Sequence, residues 1–317
     1  MSKFNDVKND IVLTPSYFAD FMCQLVEVQH GDFVLDNAAG AGALLRSANK
    51  YGAYGIGVEY DGEMYQTLER NLEYLIPSSV SLHVGDGLKL DELSLAEYNK
   101  VVINPPYSFD GSGLIFGYEA SKNMKTGKMI ILCPSSAGSK EEWTSKLLEN
   151  NTLKASITCA DIFKGYASVN VSLYVFECGR PHEDDDEVVF IDFKEDGYTR
   201  SGRKTQKGKV TDSDKAKERY QEVLDIVLKD KEPELLKDKV VKDTLKENKN
   251  WEYRAHVVID TTPTLEDFKK TVADYLDFKC KSYIEQNLGT DNIYTRCVVN
   301  MGIDPRKIEN GKVKEDD

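Results

Sequence analysis

The sequence predicts an α/β fold in which helices cover both faces of a doubly wound, mostly parallel sheet. Short apolar runs alternate with helical stretches between residues 11 and 178, which is the order that parallel strands and their crossover helices produce. A glycine-rich loop follows the first of these runs, as in α/β sheets that bind ligands. The last two runs lie close together, which favours an antiparallel hairpin at one edge of the sheet.

The spacing of apolar residues predicts the individual elements. Met64, Leu68, Leu72 and Leu75 recur at helical intervals and predict a helix over residues 63–75, and another helix is predicted over residues 43–50. The predicted strands are residues 33–35, 55–59, 80–84, 100–103, 128–133, 155–159 and 172–176.

The composition changes after residue 180, and we therefore predict two domains, residues 1–180 and 181–317. The second domain is a mainly helical extension that opens with a strand at residues 188–193. Asp212 or Ser213 is expected to cap its first helix, and Thr264 with Asp267 has capping-box spacing at the start of another. The side chains expected to face inward are Tyr220, Val223, Leu224 and Val227 in the first helix and Phe268, Val272, Tyr275 and Leu276 in the second.

A basic loop at residues 197–209 precedes these helices. Its cations are Arg200, Arg203, Lys204, Lys207 and Lys209. Two interpretations are open, a contact with nucleic-acid phosphates or a partner protein, and a solvated loop without a partner.

Composition and charge limit the classes of protein that the chain can represent. With 317 residues and a hydrophobic fraction of 40%, it can bury a full core. The polar amino terminus and the lack of a long uncharged apolar run indicate a cytoplasmic protein without a membrane segment. The six cysteines form no C-x-x-C pair, so no metal site is expected. A net charge of −13 disfavours unaided binding to nucleic acid, because phosphate contacts need cations from the chain or from a partner.

The first candidate binding residues follow the predicted strands. Asp36 directly follows the first strand, and Gly40 and Gly42 in the next turn would let a ligand approach the backbone where a helix begins. Glu59 ends the second strand. In nucleotide-binding α/β folds, an acidic residue about 20 residues after the first strand accepts hydrogen bonds from ribose hydroxyls, and Glu59 has this position. Asp86 follows the third strand, where a carboxylate can reach an adenine amine. A plain tight turn and solvated strand-end acids are the alternatives.

The strongest signal is the tetrapeptide of Asn104, Pro105, Pro106 and Tyr107, which directly follows the apolar strand at residues 100–103. The prolines remove backbone donors and stiffen the turn. The Asn104 side-chain carbonyl and the Pro105 carbonyl can then accept both hydrogens of a planar amino group, while the tyrosine ring stacks on a base. This set of groups indicates chemistry at an exocyclic amine.

With these motifs the chain resembles the N6-adenine DNA methylase family, most closely the modification subunit of type I restriction-modification systems. Further similar segments are residues 8–18, 131–136, 162–163 and 196–198, so the resemblance covers nearly the whole length. It implies the class I S-adenosylmethionine-dependent methyltransferase fold. It also implies S-adenosylmethionine as the cofactor and N6 of a flipped adenine in duplex DNA as the methyl acceptor.

The resemblance implies a role for each matching residue. The cofactor-binding residues would be Thr14, Pro15, Asp36, Ala38, Gly40, Gly42, Glu59 and Asp86, and the catalytic residues Asn104, Pro105, Pro106 and Tyr107. Tyr107 and Phe163 would stack on the flipped base, with a core position as the alternative for Phe163. The cofactor loop departs from the family's usual Asp-Pro-Ala-Cys-Gly-Thr-Gly at Asn37, Ala39 and Ala41.

The resemblance also implies partners. Residues 1–317 contain neither the long helical domain that precedes the Thr-Pro segment in type I subunits nor an insert large enough to read DNA. A separate specificity subunit is therefore expected, and a nuclease subunit belongs to the same kind of system. Two other hypotheses stay open: a methyltransferase that acts on RNA adenine or protein glutamine, where the same tetrapeptide occurs, and a non-catalytic scaffold subunit that keeps the fold.

Overall fold

The computed structural model describes residues 13–107, 113–202, 209–212, 215–257, 265–287, 308–309 and 312–313. The chain separates into two compact units, Met1–Val257 and Val258–Asp317. The first unit carries the sheet and every described residue of the predicted site.

The strands of the first unit are β1 (Phe33–Asp36), β2 (Tyr54–Glu59), β3 (Val80–Val84), β4 (Lys100–Ile103), β5 (Gly127–Pro134), β6 (Asn151–Cys159), β7 (Val171–Cys178), β8 (Glu187–Phe193), β9 (Tyr198–Arg200), β10 (Val210–Asp212) and β11 (Val240–Thr244). Its helices are α1 (Ser16–Leu25), α2 (Ala43–Lys50), α3 (Gly62–Leu72), α4 (Leu114–Ser121), α5 (Glu141–Leu148) and α6 (Ala216–Lys229). The second unit contains α7 (Leu265–Asn287), β12 (Ile308–Glu309) and β13 (Lys312–Val313).

Nine strands form one sheet in the order β11-β8-β6-β7-β5-β4-β1-β2-β3. Strands β3, β2, β1, β4 and β5 run parallel to one another, and β7 is antiparallel to both β5 and β6. The predicted doubly wound, mostly parallel sheet is confirmed. The β6–β7 hairpin is not at the edge, because β8 pairs with β6 in parallel and β11 pairs with β8. Strands from both sides of residue 180 therefore share this sheet.

Side chains alternate between two cores because successive residues of a strand point to opposite faces. Val34 and Val102 face the core formed with α1 and α6, whereas Leu35 and Val101 face the core formed with α4 and α5. A smaller cluster holds α3 against β3 through Leu68 and other leucines. The helices thus cover both faces, as the alternating sequence pattern predicted.

The extension differs from the sequence prediction in two respects. Val223 and Leu224 of α6 are buried as expected, but Asp212 does not cap this helix, since it pairs with Tyr198 in the β9–β10 hairpin. The apolar side chains of α7 that were expected to face inward are exposed, Phe268 by 63%. The others are Val272, Tyr275 and Leu276. Ser213 and Thr264 lie outside the described residues.

Within the described part of the chain, no helix combines the length and the apolar character that a membrane crossing requires.

Candidate functional site

The predicted site residues meet where four neighbouring strands end. Strand β1 lies between β2 and β4, and β3 flanks β2, all in parallel. Their carboxyl ends therefore lie at one edge of the sheet, where Asp36, Glu59, Asp86 and Asn104 end or follow the four strands. Between β1 and β4 the strand order reverses, and open α/β sheets bind ligands in the crevice at that point.

The cofactor loop after β1 (residues 36–42) is fixed by glycines and by Glu59. Gly40 has a φ of +51° and Gly42 a φ of +83°, both in the region that favours glycine, and Gly42 directly precedes α2. The Gly40 N–H donates to Glu59 Oε2 at 2.8 Å, and the Asp61 N–H donates to Glu59 Oε1 at 2.9 Å. Glu59 therefore joins the loop to the end of β2, and burial raises its pKa.

Asp36 is buried, with 1% of its surface exposed. Its Oδ1 accepts a hydrogen bond from the Ala38 N–H at 3.2 Å. Burial raises the pKa of this carboxyl to about 8, and the nearby Glu59 carboxylate adds to the increase. Asp36 is consequently mostly protonated at neutral pH unless a positive charge approaches it.

Asn37 has a structural role that the sequence did not reveal. Its Nδ2 donates to the Gly87 carbonyl at 2.9 Å and to the Phe116 carbonyl at 3.0 Å, which ties the cofactor loop to the turn after β3 and to α4. A Cβ at Gly87 would lie 1.9 Å from the Asn37 carbonyl oxygen. One of the three residues that differ from the loop of the resembling family, Asn37, thus binds this loop to its surroundings.

Asn104 lies half-buried at the end of β4 and is held on both sides. Its Nδ2 donates to Thr14 Oγ1 at 3.0 Å, and its Oδ1 accepts a hydrogen bond from the Tyr107 hydroxyl at 2.8 Å. Thr14 thus contacts the tetrapeptide, although the resemblance had placed it at the cofactor. Pro105 is buried, and Gly113 approaches its ring so closely that a Cβ there would lie 2.7 Å from Pro105 Cγ.

The two aromatic candidates differ in their surroundings. Tyr107 is half-buried against the α1–α6 core, and burial raises its pKa well above the usual value. Phe163 is 1% exposed and belongs to the interior of that same core, so its side chain has the core position that the sequence analysis left open. Tyr166, in the same loop, is 62% exposed.

One cation of the basic loop is not available to a phosphate. Arg200 is 7% exposed and forms a buried ion pair with Asp196, itself 2% exposed. Lys209 is exposed, whereas Arg203, Lys204 and Lys207 lie outside the described residues. Neither of the two interpretations left open for the loop describes Arg200, because its guanidinium is buried and Asp196, four residues earlier, supplies the counter-ion.

Comparisons with known proteins bear on this site. The sequence model of the protein-L-isoaspartate(D-aspartate) O-methyltransferase family (PCMT) matches residues 5–104. The type II restriction enzyme and methyltransferase RM.BcgI of Heyndrickxia coagulans is 29% identical over 310 residues, with 85% of this chain and 46% of that protein covered. The chain is similar to a restriction-modification methyltransferase. It spans about half the length of that curated relative.

Solved structures agree in fold. The methyltransferase subunit of the type I restriction-modification system from Streptococcus thermophilus superimposes with a TM-score of 0.59 at 17% identity, covering 77% of this chain and 58% of that one. The M protein of the type I restriction enzyme EcoKI gives 0.56 at 14% identity, covering 92% and 76%. The class I S-adenosylmethionine-dependent methyltransferase fold that the sequence predicted is therefore confirmed.

Proposed function

We propose that the chain transfers a methyl group from S-adenosylmethionine to N6 of an adenine flipped out of duplex DNA, as the modification subunit of a restriction-modification complex. The observation that carries this proposal is the placement of Asn104, whose amide is held between Thr14 and Tyr107 beside the cofactor loop. The base must leave the stack because its amino group is otherwise paired.

The residues at the ends of β1 to β3 fit S-adenosylmethionine. The carboxylate oxygens of Glu59 accept the Gly40 and Asp61 N–H groups, and a carboxylate has further lone-pair capacity to accept a ribose hydroxyl. Asp86 Oδ1 accepts the Leu88 N–H at 2.9 Å, and the half-buried carboxylate has capacity for an adenine amine. The cofactor supplies a methyl group on a sulfonium, a good leaving group, so positioning of the acceptor does most of the catalytic work.

Asn104 and Pro105 orient the acceptor amine. Because Asn104 Nδ2 donates to Thr14, the carbonyl end of the amide points to the other side, where Oδ1 meets the Tyr107 hydroxyl. An amide oxygen has two lone pairs, so Oδ1 accepts an N6 hydrogen while it remains bonded to Tyr107. The Pro105 carbonyl would accept the other hydrogen, which leaves the nitrogen lone pair to form the bond to the methyl carbon. The carbon–sulfur bond would break as this bond forms, the thioether would leave, and the methylated nitrogen would lose one proton to solvent. Tyr107 stays a neutral phenol, because burial raises its pKa.

Sequence specificity comes from a second chain in this proposal, and a nuclease subunit completes the system. The net charge of −13 supports a separate specificity subunit, because an acidic subunit needs a partner that supplies the cations for phosphate contacts. RM.BcgI is named as both a restriction enzyme and a methyltransferase. This chain matches 46% of the length of that protein.

The first experiment separates cofactor binding from transfer. Calorimetric titration of the purified chain with S-adenosylmethionine should give saturable binding that Glu59→Ala abolishes, because the loop loses its anchor and the ribose its acceptor. Asn104→Ala should bind the cofactor as wild type does. A folded chain that binds no S-adenosylmethionine would favour the scaffold hypothesis.

The second experiment identifies the acceptor. Duplex DNA, RNA and a protein mixture are offered with labelled cofactor, the last because the PCMT match over residues 5–104 comes from enzymes with a protein substrate. We expect N6-methyladenine in digested DNA, loss of transfer in Asn104→Ala, and wild-type transfer in Asn123→Ala, an exposed asparagine outside the site. Label in RNA or protein alone would refute the assignment to DNA.

A further inference from the structure

The buried Asp196–Arg200 pair contacts the first turn of α1 through Tyr17, and Asn104 contacts Thr14, just before that helix begins. The Asp196 carboxylate accepts the Arg200 Nη1–H at 3.0 Å, the Tyr220 hydroxyl at 2.7 Å and the Tyr198 N–H at 3.1 Å, and it also accepts Arg200 Nη2–H. A buried ion pair adds little net stability by itself, since desolvation offsets the attraction. So complete a set of partners suggests a role in fixing geometry.

Arg200 also holds the start of α1. Its Nε–H and Nη2–H donate to the Tyr17 hydroxyl oxygen at 3.1 and 2.9 Å. Tyr17 is the second residue of α1, and its ring packs on Tyr198 with centroids 5.0 Å apart. The Pro15 carbonyl accepts the Phe18 and Ala19 N–H groups, both at 2.9 Å, so the first turn of the helix is well ordered.

The same short segment reaches the tetrapeptide. Thr14 directly precedes Pro15, and its Oγ1 accepts the Asn104 Nδ2–H at 3.0 Å. Residues 14–17 are therefore bound to Asn104 at one end and to Arg200 at the other. Both contacts join segments far apart in sequence, by 90 residues for Thr14 and Asn104 and by 183 for Tyr17 and Arg200.

We propose that Arg200, held by Asp196, is a positioning residue that acts through Tyr17 and Thr14 to set the orientation of the Asn104 amide. The proposal deepens the proposed function and rests on it for its catalytic meaning. The geometric coupling itself is independent of the methyl acceptor. Loss of the Arg200–Tyr17 contact removes the polar anchor of residues 14–17, so Thr14 holds its end of the Asn104 amide less firmly.

A matched pair of variants tests the coupling. Tyr17→Phe removes the hydroxyl that Arg200 binds and keeps the ring, whereas Tyr220→Phe removes a hydroxyl that binds only the Asp196 side of the pair. The side-chain amide signal of Asn104 is observed by NMR and assigned with Asn104→Ala. Tyr17→Phe should shift this signal and speed its proton exchange about tenfold, the effect expected when the Asn104–Thr14 hydrogen bond is lost. Tyr220→Phe should leave the signal unchanged.

Activity provides the second measurement. Methyl transfer by Tyr17→Phe should show a lower kcat with the cofactor affinity retained, and the added change Thr14→Val should lower kcat no further, because both changes act on one contact. Should Tyr17→Phe not fold, the double change Asp196→Leu with Arg200→Met removes the anchor without a buried charge and should move the Asn104 signal in the same way.

Two outcomes overturn the proposal: an Asn104 signal unaffected by Tyr17→Phe, and equal shifts in Tyr17→Phe and Tyr220→Phe. A wild-type chain that transfers no methyl group to DNA while Tyr17→Phe still moves the Asn104 signal would refute the proposed function and support the coupling. The two hypotheses therefore fail separately.

Discussion

Asp36 should make the stability of the protein fall as pH rises. Its folded-state pKa of about 8 lies far above the usual value for aspartate, about 4, because the buried carboxylate lacks solvation. A group with a raised folded pKa contributes its stability below the unfolded pKa and loses it as pH rises through the folded pKa. For Asp36 this window extends from about pH 4 to about pH 8.

The magnitude follows from the two pKa values. Between about pH 5 and about pH 7, linkage of this single group lowers the free energy of unfolding by about 2 to 3 kcal/mol. Asp36→Asn removes the titration and keeps both the shape of the side chain and the oxygen that accepts the Ala38 N–H. The free energy of unfolding of the variant minus that of wild type should therefore increase as pH rises, whichever protein is more stable near pH 5.

Urea unfolding followed by circular dichroism at a series of pH values measures this difference. The slope with denaturant must be the same for both proteins, so that the midpoints report stability alone. Carboxyl groups that do not interact with Asp36 titrate equally in both proteins and cancel in the difference, whereas Glu59, whose charge acts on Asp36, contributes to it. Stability curves that stay parallel from pH 5 to pH 8 would refute the reasoning and mean that Asp36 is ionised in the folded chain.

Three further predictions concern single contacts. Gly87→Ala should lower both the melting temperature and the affinity for S-adenosylmethionine, since the new methyl group would lie 1.9 Å from a carbonyl oxygen of the cofactor loop; Gly62→Ala, with open space around it, is the control. His256→Phe should destabilise the fold by about 1 to 3 kcal/mol in thermal unfolding, because both ring nitrogens bond acceptors, at 2.7 and 2.6 Å. An unchanged melting temperature would contradict this. Charge reversal at Arg203 and Lys204 should weaken DNA binding by the assembled complex, and unchanged binding would exclude that contact.

The sequence predicted the parallel part of the sheet, where local apolar patterns and the order of the strands along the chain indicate the same fold. The helix over residues 43–50 coincides with α2, and the strand ends at Asp36, Glu59 and Ile103 place the predicted binding residues at one edge. The strand signal is clear here because parallel strands buried on both faces form continuous apolar runs. The helix predicted to reach residue 75 ends earlier, at Leu72, since Leu75 packs on the core from a turn.

Features that depend on partners distant in sequence were missed. The hairpin β6–β7 was placed at the edge because nothing local shows that residues 187–193 return to pair with β6. Asn37 appeared only as a departure from the usual loop, although its amide joins two carbonyls, those of Gly87 and Phe116. Arg200 was grouped with exposed cations by composition, and the available signal was Asp196 four residues before it.

The match to a methyltransferase family model ends within the candidate site. The match to a family of O-methyltransferases ends at Asn104, the residue at which the proposed cofactor half gives way to the acceptor half. Backbone pairing of β1 with β4 and the side-chain hydrogen bond from Asn104 to Thr14 join these two parts of the site. Asn37, by contrast, holds the cofactor loop itself. Substitution at the Asn104–Thr14 contact should therefore alter acceptor positioning before it alters cofactor binding, whereas substitution of Asn37 should alter cofactor binding first.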